Sequence, residues 1–260
     1  MKGKTIAIVN QKGGVGKTTT TFNLGASLSK AGKKVLIIDL DQQGNLTYCM
    51  GHDAPDEMQN TIAQMMLQVI ADDEYDVKDY IYTASNKVDY IGCNVYMSTV
   101  EINLVNAMSR EHILKNIVAE FREDYDYILL DCGPSLGMIT INALAAADSV
   151  LIPLQAEKFA ALGLELLIKN ILRVKRKLNP SLEIEGILFV SVPSNYTESK
   201  QTIEEVTDRF GEMIHIYDFV IPRLTEVAKA NRNQKTLLEF GNGKSSVGCL
   251  YEQLAKEVSE

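Results

Sequence analysis

The sequence predicts an α/β protein with a single doubly wound, mostly parallel sheet and helices on both faces. Short apolar runs recur along the 260 residues with helical stretches between them, and each run is continuous rather than alternating with polar residues. Continuous apolar strands are typical of parallel strands that are covered on both faces. No proline-, glycine- or serine-rich linker interrupts the series. We therefore expect one domain over residues 1–260, with ligands at the carboxyl ends of the strands.

The predicted strands share a short, uninterrupted apolar core and cover residues 6–9, 35–38, 88–91, 127–130, 150–154, 186–192 and 219–221. The predicted helices share apolar residues at helical spacing and cover residues 20–30, 61–70, 100–107, 113–121, 139–147, 162–178, 203–210 and 247–258. We expect the last of these helices to pack along the sheet.

A glycine-rich segment, Gln-Lys-Gly-Gly-Val-Gly-Lys-Thr-Thr at 11–19, joins the first predicted strand to the first predicted helix. This context is the one that a phosphate-binding loop requires. Backbone N–H groups at a helix N-terminus bind anions, and glycines let the backbone close around phosphate oxygens. The predicted nucleotide-binding residues are consecutive and are Lys12, Gly13, Gly14, Val15, Gly16, Lys17, Thr18 and Thr19.

Two of these side chains have predicted roles on the nucleotide. Lys17 is expected to reach the β- and γ-phosphates, and the Thr18 hydroxyl is expected to bind Mg²⁺. The match to the usual phosphate-loop pattern is incomplete, because Gln11 replaces its first glycine. A second lysine, Lys12, stands at the start of the loop instead.

Acidic residues follow two predicted strands at the edge where the phosphates are expected. For Asp39, a cap of the following turn and a functional role are equally expected, whereas Asp41 is expected to act on the attacking water or the metal. Asp131 ends an apolar run of the Walker B form, and we expect it to hold a water of the Mg²⁺ shell. The predicted metal site is therefore Thr18, Asp41 and Asp131.

Composition narrows the function classes. A net charge of −8 does not by itself suggest a nucleic-acid binder. The four cysteines form no C-x-x-C pair, which argues against a zinc or iron–sulfur site within one chain and fits a reducing cytosol. No apolar run approaches 18 residues and no secretory leader is present, so no membrane association is expected.

Three segments, residues 12–19, 39–45 and 130–137, closely resemble the ParA/Soj branch of the deviant Walker A ATPases. These are relatives of MinD and the nitrogenase iron protein. The resemblance covers nearly the whole chain and implies an ATP-dependent homodimer with ATP and Mg²⁺ as cofactors.

The resemblance also implies residue roles. Lys12 matches the lysine that reaches across the dimer to the partner's nucleotide, and Asp41 matches the acid that positions the hydrolytic water. The implied catalytic residues are thus Lys12, Lys17 and Asp41. Asp131 matches the Walker B acid, and the dipeptide Pro222 and Arg223 matches a segment near the adenine.

In the family, the ATP-bound dimer binds DNA without sequence preference, and a ParB-like DNA-binding partner stimulates hydrolysis. The resemblance therefore implies a cytoplasmic protein that is nucleoid-associated when ATP-bound and drives plasmid, chromosome or mobile-element partitioning. The candidate DNA contacts are basic residues of the second half of the chain and are Arg223, Arg232, Lys235, Lys244, Arg173 and Arg176.

The chain departs from the family pattern at four places. Gln42 and Gly133 each replace a usual proline in a switch segment, and residues 192–197 lack the usual Asp-x-Arg. Ser-Glu-Ala-Pro after Arg223 is also absent. The first two departures bear on the switching rate, and the others bear on the DNA surface.

Three alternatives remain open on the sequence. A ParA-like ATPase that positions a non-DNA protein cargo shares the same core. A MinD-like membrane protein needs a basic amphipathic C-terminal helix, whereas residues 250–260 end in Lys-Glu-Val-Ser-Glu. An electron-transfer ATPase like the nitrogenase iron protein would share cysteines across a dimer, and Cys132 lies in the corresponding region.

Overall fold

A computed structural model describes residues 3–193, 197–240 and 245–260. In chain order, its strands are β1 Lys4–Ile8, β2 Val35–Asp39, β3 Tyr82–Thr83, β4 Asp89–Ile91, β5 Tyr127–Asp131, β6 Ser149–Leu154, β7 Glu183–Val192 and β8 Ile216–Pro222. Its α-helices are α1 Lys17–Lys30, α2 Asn45–Cys49, α3 Ile62–Ala71, α4 Met97–Leu104, α5 Ile113–Phe121, α6 Met138–Ala146, α7 Ala160–Lys177, α8 Thr197–Phe210, α9 Thr225–Arg232 and α10 Ser246–Ser259.

The described strands form one eight-stranded sheet in the order β3-β4-β2-β5-β1-β6-β7-β8. All neighbouring strands pair in parallel except the short edge strand β3, which is antiparallel to β4. The predicted α/β fold with a mostly parallel sheet is confirmed. Since β1 lies between β5 and β6, the chain winds outward from the middle of the sheet in both directions, and the carboxyl ends of the parallel strands share one edge.

Two hydrophobic clusters cover the two faces of the sheet. Ala7 and Val9 belong to the cluster that includes residues of α3 to α8, whereas Ile6 and Ile8 belong to the cluster that includes residues of α1 and α10. Successive side chains of a strand point to opposite faces, so each apolar run of the sequence supplies both clusters. This double burial explains why the runs are continuous rather than alternating.

The predicted helix at residues 247–258 is confirmed as α10. It packs beside α1 and also contacts β8, and Tyr251 and Leu254 are buried in the cluster with Phe22. Among the described residues, no helix is both long enough and apolar enough to cross a membrane.

Three elements were not predicted: α2, β3 and α9. Strand β3 has two residues, too few for a pattern, and α2 has five. Helix α9 has the sequence Thr-Glu-Val-Ala-Lys-Ala-Asn-Arg, with one large apolar residue in eight, and buries only Ala230, so its apolar face is too short to give a periodic pattern. Helix α8 starts at Thr197 rather than at residue 203 for the same reason, because its first turn is polar.

Candidate active site

The glycine-rich loop connects β1 to α1 at the carboxyl edge of the sheet. Gly14 and Gly16 have φ angles of 73° and 84°, which are left-handed conformations that favour glycine. A Cβ atom on Gly16 would also lie 3.6 Å from Cγ2 of Val190 on β7. The loop therefore depends on glycine for its curvature, while the space beside β7 would admit a Cβ atom in ordinary contact.

Lys17 opens α1 and faces the inside of the loop. Its side chain is 6% exposed, and its Nζ donates a hydrogen bond to the carbonyl oxygen of Lys12 at 3.2 Å. Burial lowers the pKa of Lys17, while the nearby Asp131 carboxyl opposes that shift. A buried ammonium in a loop of backbone N–H groups is an environment that favours a bound anion.

Lys12 faces the opposite way. Its Nζ lies 2.5 Å from Oε2 of Glu157 and 3.4 Å from Oε1 of Gln155, both in the segment between β6 and α7. Gln155 in turn donates from Nε2 to the carbonyl oxygen of Gly14 at 3.0 Å. The two lysines of the loop thus serve different sides of it, with Lys17 inside and Lys12 outside.

Asp131 is fully buried at the end of β5. Its Oδ2 accepts a hydrogen bond from Thr18 Oγ1 at 2.8 Å, and its Oδ1 accepts one from Thr21 Oγ1 at 3.0 Å. Strand register places Asp39 directly beside it. Burial raises the pKa of Asp131 to about 8, the Asp39 charge adds to the rise, and the two threonines oppose it.

This donor set fits Mg²⁺. Carboxylate and hydroxyl oxygens are the ligands that Mg²⁺ prefers, and Asp131 and Thr18 present both types in one place. A cation there would also offset the proximity of two buried carboxyl groups. Thr21 was not predicted as part of this cluster, although its spacing of three residues from Thr18 places both side chains on one face of α1.

Asp39 has a structural role in holding the following loop. Its Oδ1 accepts from the backbone N–H of Asp41 at 3.0 Å, and its Oδ2 accepts from the Thr47 backbone and hydroxyl at 2.9 and 2.7 Å. Burial raises the pKa of Asp39 to about 6, against the effect of these hydrogen bonds. Of the two interpretations of Asp39, the structure favours the cap of the following turn.

Asp41 is partly exposed and lines the same cavity as Lys17 and Thr18. Its Oδ1 accepts from the backbone N–H of Gln43 at 3.1 Å. A Cβ atom on Gly133 would lie 3.5 Å from Cγ of Asp41. The glycine that replaces the usual proline therefore leaves open space directly beside this carboxylate.

Two adjoining cavities meet at the loop. The larger has a volume of 500 Å³ and is lined by loop residues together with Asp41, Tyr48, Pro134 and Arg232. The smaller has a volume of 280 Å³ and is lined by Val190, Ile221, Pro222, Arg223, Val227 and Tyr251, among others. Gly14, Gly16, Thr19 and Asn231 border both cavities. The cavity at the loop has a more polar lining than its neighbour, which is the arrangement expected for phosphates followed by a base.

Helix α9 closes both cavities, and sequence reasoning missed its part in the site. Asn231 donates from Nδ2 to Thr19 Oγ1 at 3.0 Å, which ties α9 to the first turn of α1. The Tyr48 hydroxyl donates to the carbonyl oxygen of Arg232 at 3.3 Å, which ties α9 to α2. Nothing in the local pattern of α9 indicates this placement, because its partners are distant in sequence.

The basic residues predicted to contact DNA fall into two groups. Arg223, Arg232 and Lys235 are exposed near the carboxyl edge of the sheet, where Arg223 and Arg232 also border the two cavities. Arg173 and Arg176 are exposed on the second half of α7, which runs back toward the opposite edge. Lys244 lies outside the described residues. The structure thus does not join the five described candidates into one surface.

The cysteines give no support to a shared cluster. Cys49, Cys93 and Cys132 are buried and Cys249 is exposed. Burial and the adjacent Asp131 raise the pKa of Cys132 well above its ordinary value. A buried protonated thiol is an inert one.

Comparison with known proteins found a matching family model and similar proteins of about the same length. A family model described as an AAA domain matches residues 3–184. The sporulation initiation inhibitor protein Soj of Bacillus subtilis is 42% identical, over 99% of this chain and 98% of that protein. The chromosome partitioning protein ParA of Caulobacter vibrioides is 38% identical, over 98% of this chain and 93% of that protein.

A solved structure is similar as well. Cobyrinic acid a,c-diamide synthase from Mycobacterium smegmatis with a bound ATP analogue and magnesium superimposes with a TM-score of 0.84 at 31% identity. The match covers 98% of this chain and 93% of that one.

Proposed function

Because this chain belongs to the ParA/Soj family of partition ATPases, we propose that its ATP-bound form dimerises and binds DNA without sequence preference. The chain is an ATP hydrolase with ATP and Mg²⁺ as cofactors. Its role is the partitioning of a plasmid, chromosome or mobile element, and a ParB-like DNA-binding protein stimulates its hydrolysis. It works in the cytoplasm and is nucleoid-associated while ATP is bound.

The outward direction of Lys12 carries the dimer part of this proposal. A lysine paired with Glu157 on the outer side of the loop lies away from the phosphates of its own cavity. Both partners are more than half exposed, so the pair contributes little stability and is readily exchanged. Lys12 is therefore available to a second nucleotide, and in a two-fold dimer each lysine completes the other protomer's site.

Within one protomer, the remaining roles follow from position. Lys17 neutralises the β- and γ-phosphates from inside the loop. Thr18 and Asp131 would hold Mg²⁺, which polarises the phosphates when bound. Asp41 is partly exposed, lines the phosphate cavity and there orients the attacking water. Hydrolysis removes the γ-phosphate that the two protomers share, so dimerisation and DNA binding end together.

DNA binding by a chain of net charge −8 requires local clustering of cations. Arg223 and Lys235 are exposed near the carboxyl edge of the sheet, and we propose them as contacts to DNA phosphates. Arg173 and Arg176 form a second, separate candidate group. A dimer doubles either group, so affinity should appear with ATP and fall steeply with salt, because each neutralised phosphate releases about 0.9 counterion on duplex DNA.

The test is an ATP-dependent DNA-binding titration on the full chain, with duplexes of unrelated sequence and increasing salt. We expect binding with Mg²⁺ and a non-hydrolysable ATP analogue, none with ADP, and equal affinity for each duplex. Reversing charge at Lys235, which borders neither cavity, should weaken this binding while ATP-driven dimerisation persists, and reversal at Arg173 and Arg176 is the matched comparison.

An ATP-bound dimer without DNA affinity at low salt would contradict the DNA proposal. It would favour the alternative in which the same ATPase positions a protein cargo. Dimerisation and nucleotide binding would stand in that case, because they depend on the loop and not on the basic surface.

A further inference from the structure

Arg232, at the end of α9, lies at the mouth of the 500 Å³ cavity. It was predicted as a DNA contact because it belongs to a basic stretch of the sequence. Its surroundings differ from those of the other basic residues, since the same cavity is lined by Gly13, Lys17 and Thr18. Arg232 is thus placed with the phosphate loop rather than with an open surface.

The backbone of Arg232 is held from two sides. Its carbonyl oxygen accepts the 3.3 Å hydrogen bond from Tyr48 on α2, and the preceding Asn231 donates the 3.0 Å hydrogen bond to Thr19 on α1. Helices α1 and α2 both supply lining residues of the cavity. The starting point of the Arg232 side chain is therefore fixed relative to the phosphate loop, which is the preorganisation that a binding residue needs.

The charges of the cavity favour a second cation. The cavity is lined by three charged side chains, which are Lys17, Asp41 and Arg232. Lys12 points outward, so Lys17 is the single loop lysine available to a nucleotide in the same protomer. Mg²⁺-bound ADP and ATP retain negative charge, and a guanidinium binds phosphate oxygens through paired N–H donors. Arg232 makes no ion pair with any residue in the described part of the chain.

We propose that Arg232 binds a phosphate of the nucleotide held in its own protomer. It acts as the second cation of the monomeric site before the partner's Lys12 arrives. The proposal rests on the ATP-binding activity of the chain and is independent of DNA binding. It also removes Arg232 from the DNA surface and leaves Arg223 and Lys235 as the candidates at that edge.

Calorimetric titration of the full chain with Mg²⁺-ADP tests this role, because ADP fills the site without the dimer. Loss of a charge-assisted hydrogen bond should raise the Kd of the Arg232→Gln variant about tenfold. Lys235→Gln removes a cation three residues away that borders neither cavity, and its Kd should stay within about twofold of wild type. Arg232→Lys keeps the charge but loses the paired donors, so its Kd should fall between the two.

A second readout separates a phosphate contact from a structural effect. The Kd of the wild type should rise more steeply with potassium chloride than that of Arg232→Gln, since one ion pair is missing in the variant. Thermal unfolding without nucleotide should be unchanged, because Arg232 is exposed. A Kd of Arg232→Gln within about twofold of wild type, or an equal loss in Lys235→Gln, would overturn the assignment.

Discussion

The middle of the sheet and its β8–α9 margin line the same cavity, but the middle is fully buried and the margin is not. Every residue of β2 and β5 is buried, and these strands deliver Asp39 and Asp131 as neighbours in a hydrogen-bonded ladder. Strand β8 is mostly half-buried, and α9 buries only Ala230. The chemical groups come from the buried centre, where packing fixes their positions. The margin is held by a few side-chain hydrogen bonds. Departures from the family pattern occur in both regions: Gln42 and Gly133 follow the central strands, whereas the missing Ser-Glu-Ala-Pro lies at the margin.

The largest effect should come from the centre. Lys17→Ala removes the buried cation from inside the phosphate loop, so nucleotide affinity should fall by about a hundredfold or more. Calorimetric titration with Mg²⁺-ADP measures this. Arg232→Gln, a change at the margin, should raise the Kd for Mg²⁺-ADP much less than Lys17→Ala does. If the Kd of Lys17→Ala for Mg²⁺-ADP stays within about threefold of wild type, the phosphate-loop assignment is wrong.

The next effect concerns rate rather than binding. Asp41→Ala should slow hydrolysis by about a hundredfold, because the water loses the carboxylate that orients it. ATP and Mg²⁺ should remain bound, so the variant accumulates as an ATP-locked dimer. Turnover assays and light scattering in the presence of ATP check the two halves of this prediction. A variant that fails to bind nucleotide would assign Asp41 to metal retention instead.

The smallest effects compare stability in the two regions. Thr47→Val removes a buried hydroxyl that donates to Asp39 and accepts from Cys93 N–H, and should cost about 2 kcal/mol of the free energy of unfolding. Asn231→Ala removes one part-buried hydrogen bond at the margin and should cost about 1 kcal/mol or less. Urea unfolding of both variants measures the difference. Equal losses would mean that the margin is as tightly held as the centre.

The same contrast explains how much the sequence could predict. Buried strands such as β1, β2 and β5 carry uninterrupted apolar runs, so the central fold could be predicted from the sequence. The loop carries a dense motif, which made its residues the nucleotide-binding candidates. Helix α9 has one large apolar residue, Val227, so its short apolar face gave no usable pattern. Its place in the site depends on the Asn231–Thr19 contact across 212 positions, which no local spacing encodes.

The direction of the Lys12 side chain could not be predicted from the local sequence either. The motif indicated a second lysine, and the family resemblance implied its role across the dimer. Its present partner, Glu157, is 145 positions away. Only the folded chain brings the segment after β6 against the outer side of the loop, where this pair forms.

The most direct test of the account mixes two inactive variants, Lys12→Ala and Asp41→Ala, before ATP is added. If Lys12 serves the partner's nucleotide, the Asp41→Ala protomer supplies its lysine to the intact Asp41 site of the other protomer. A random mixture of such two-fold dimers should then recover about a quarter of wild-type ATP hydrolysis, because half of the dimers carry one complete site. If Lys12 serves its own nucleotide, neither site of the mixed dimer is complete. Activity no greater than that of the separate variants would contradict the account.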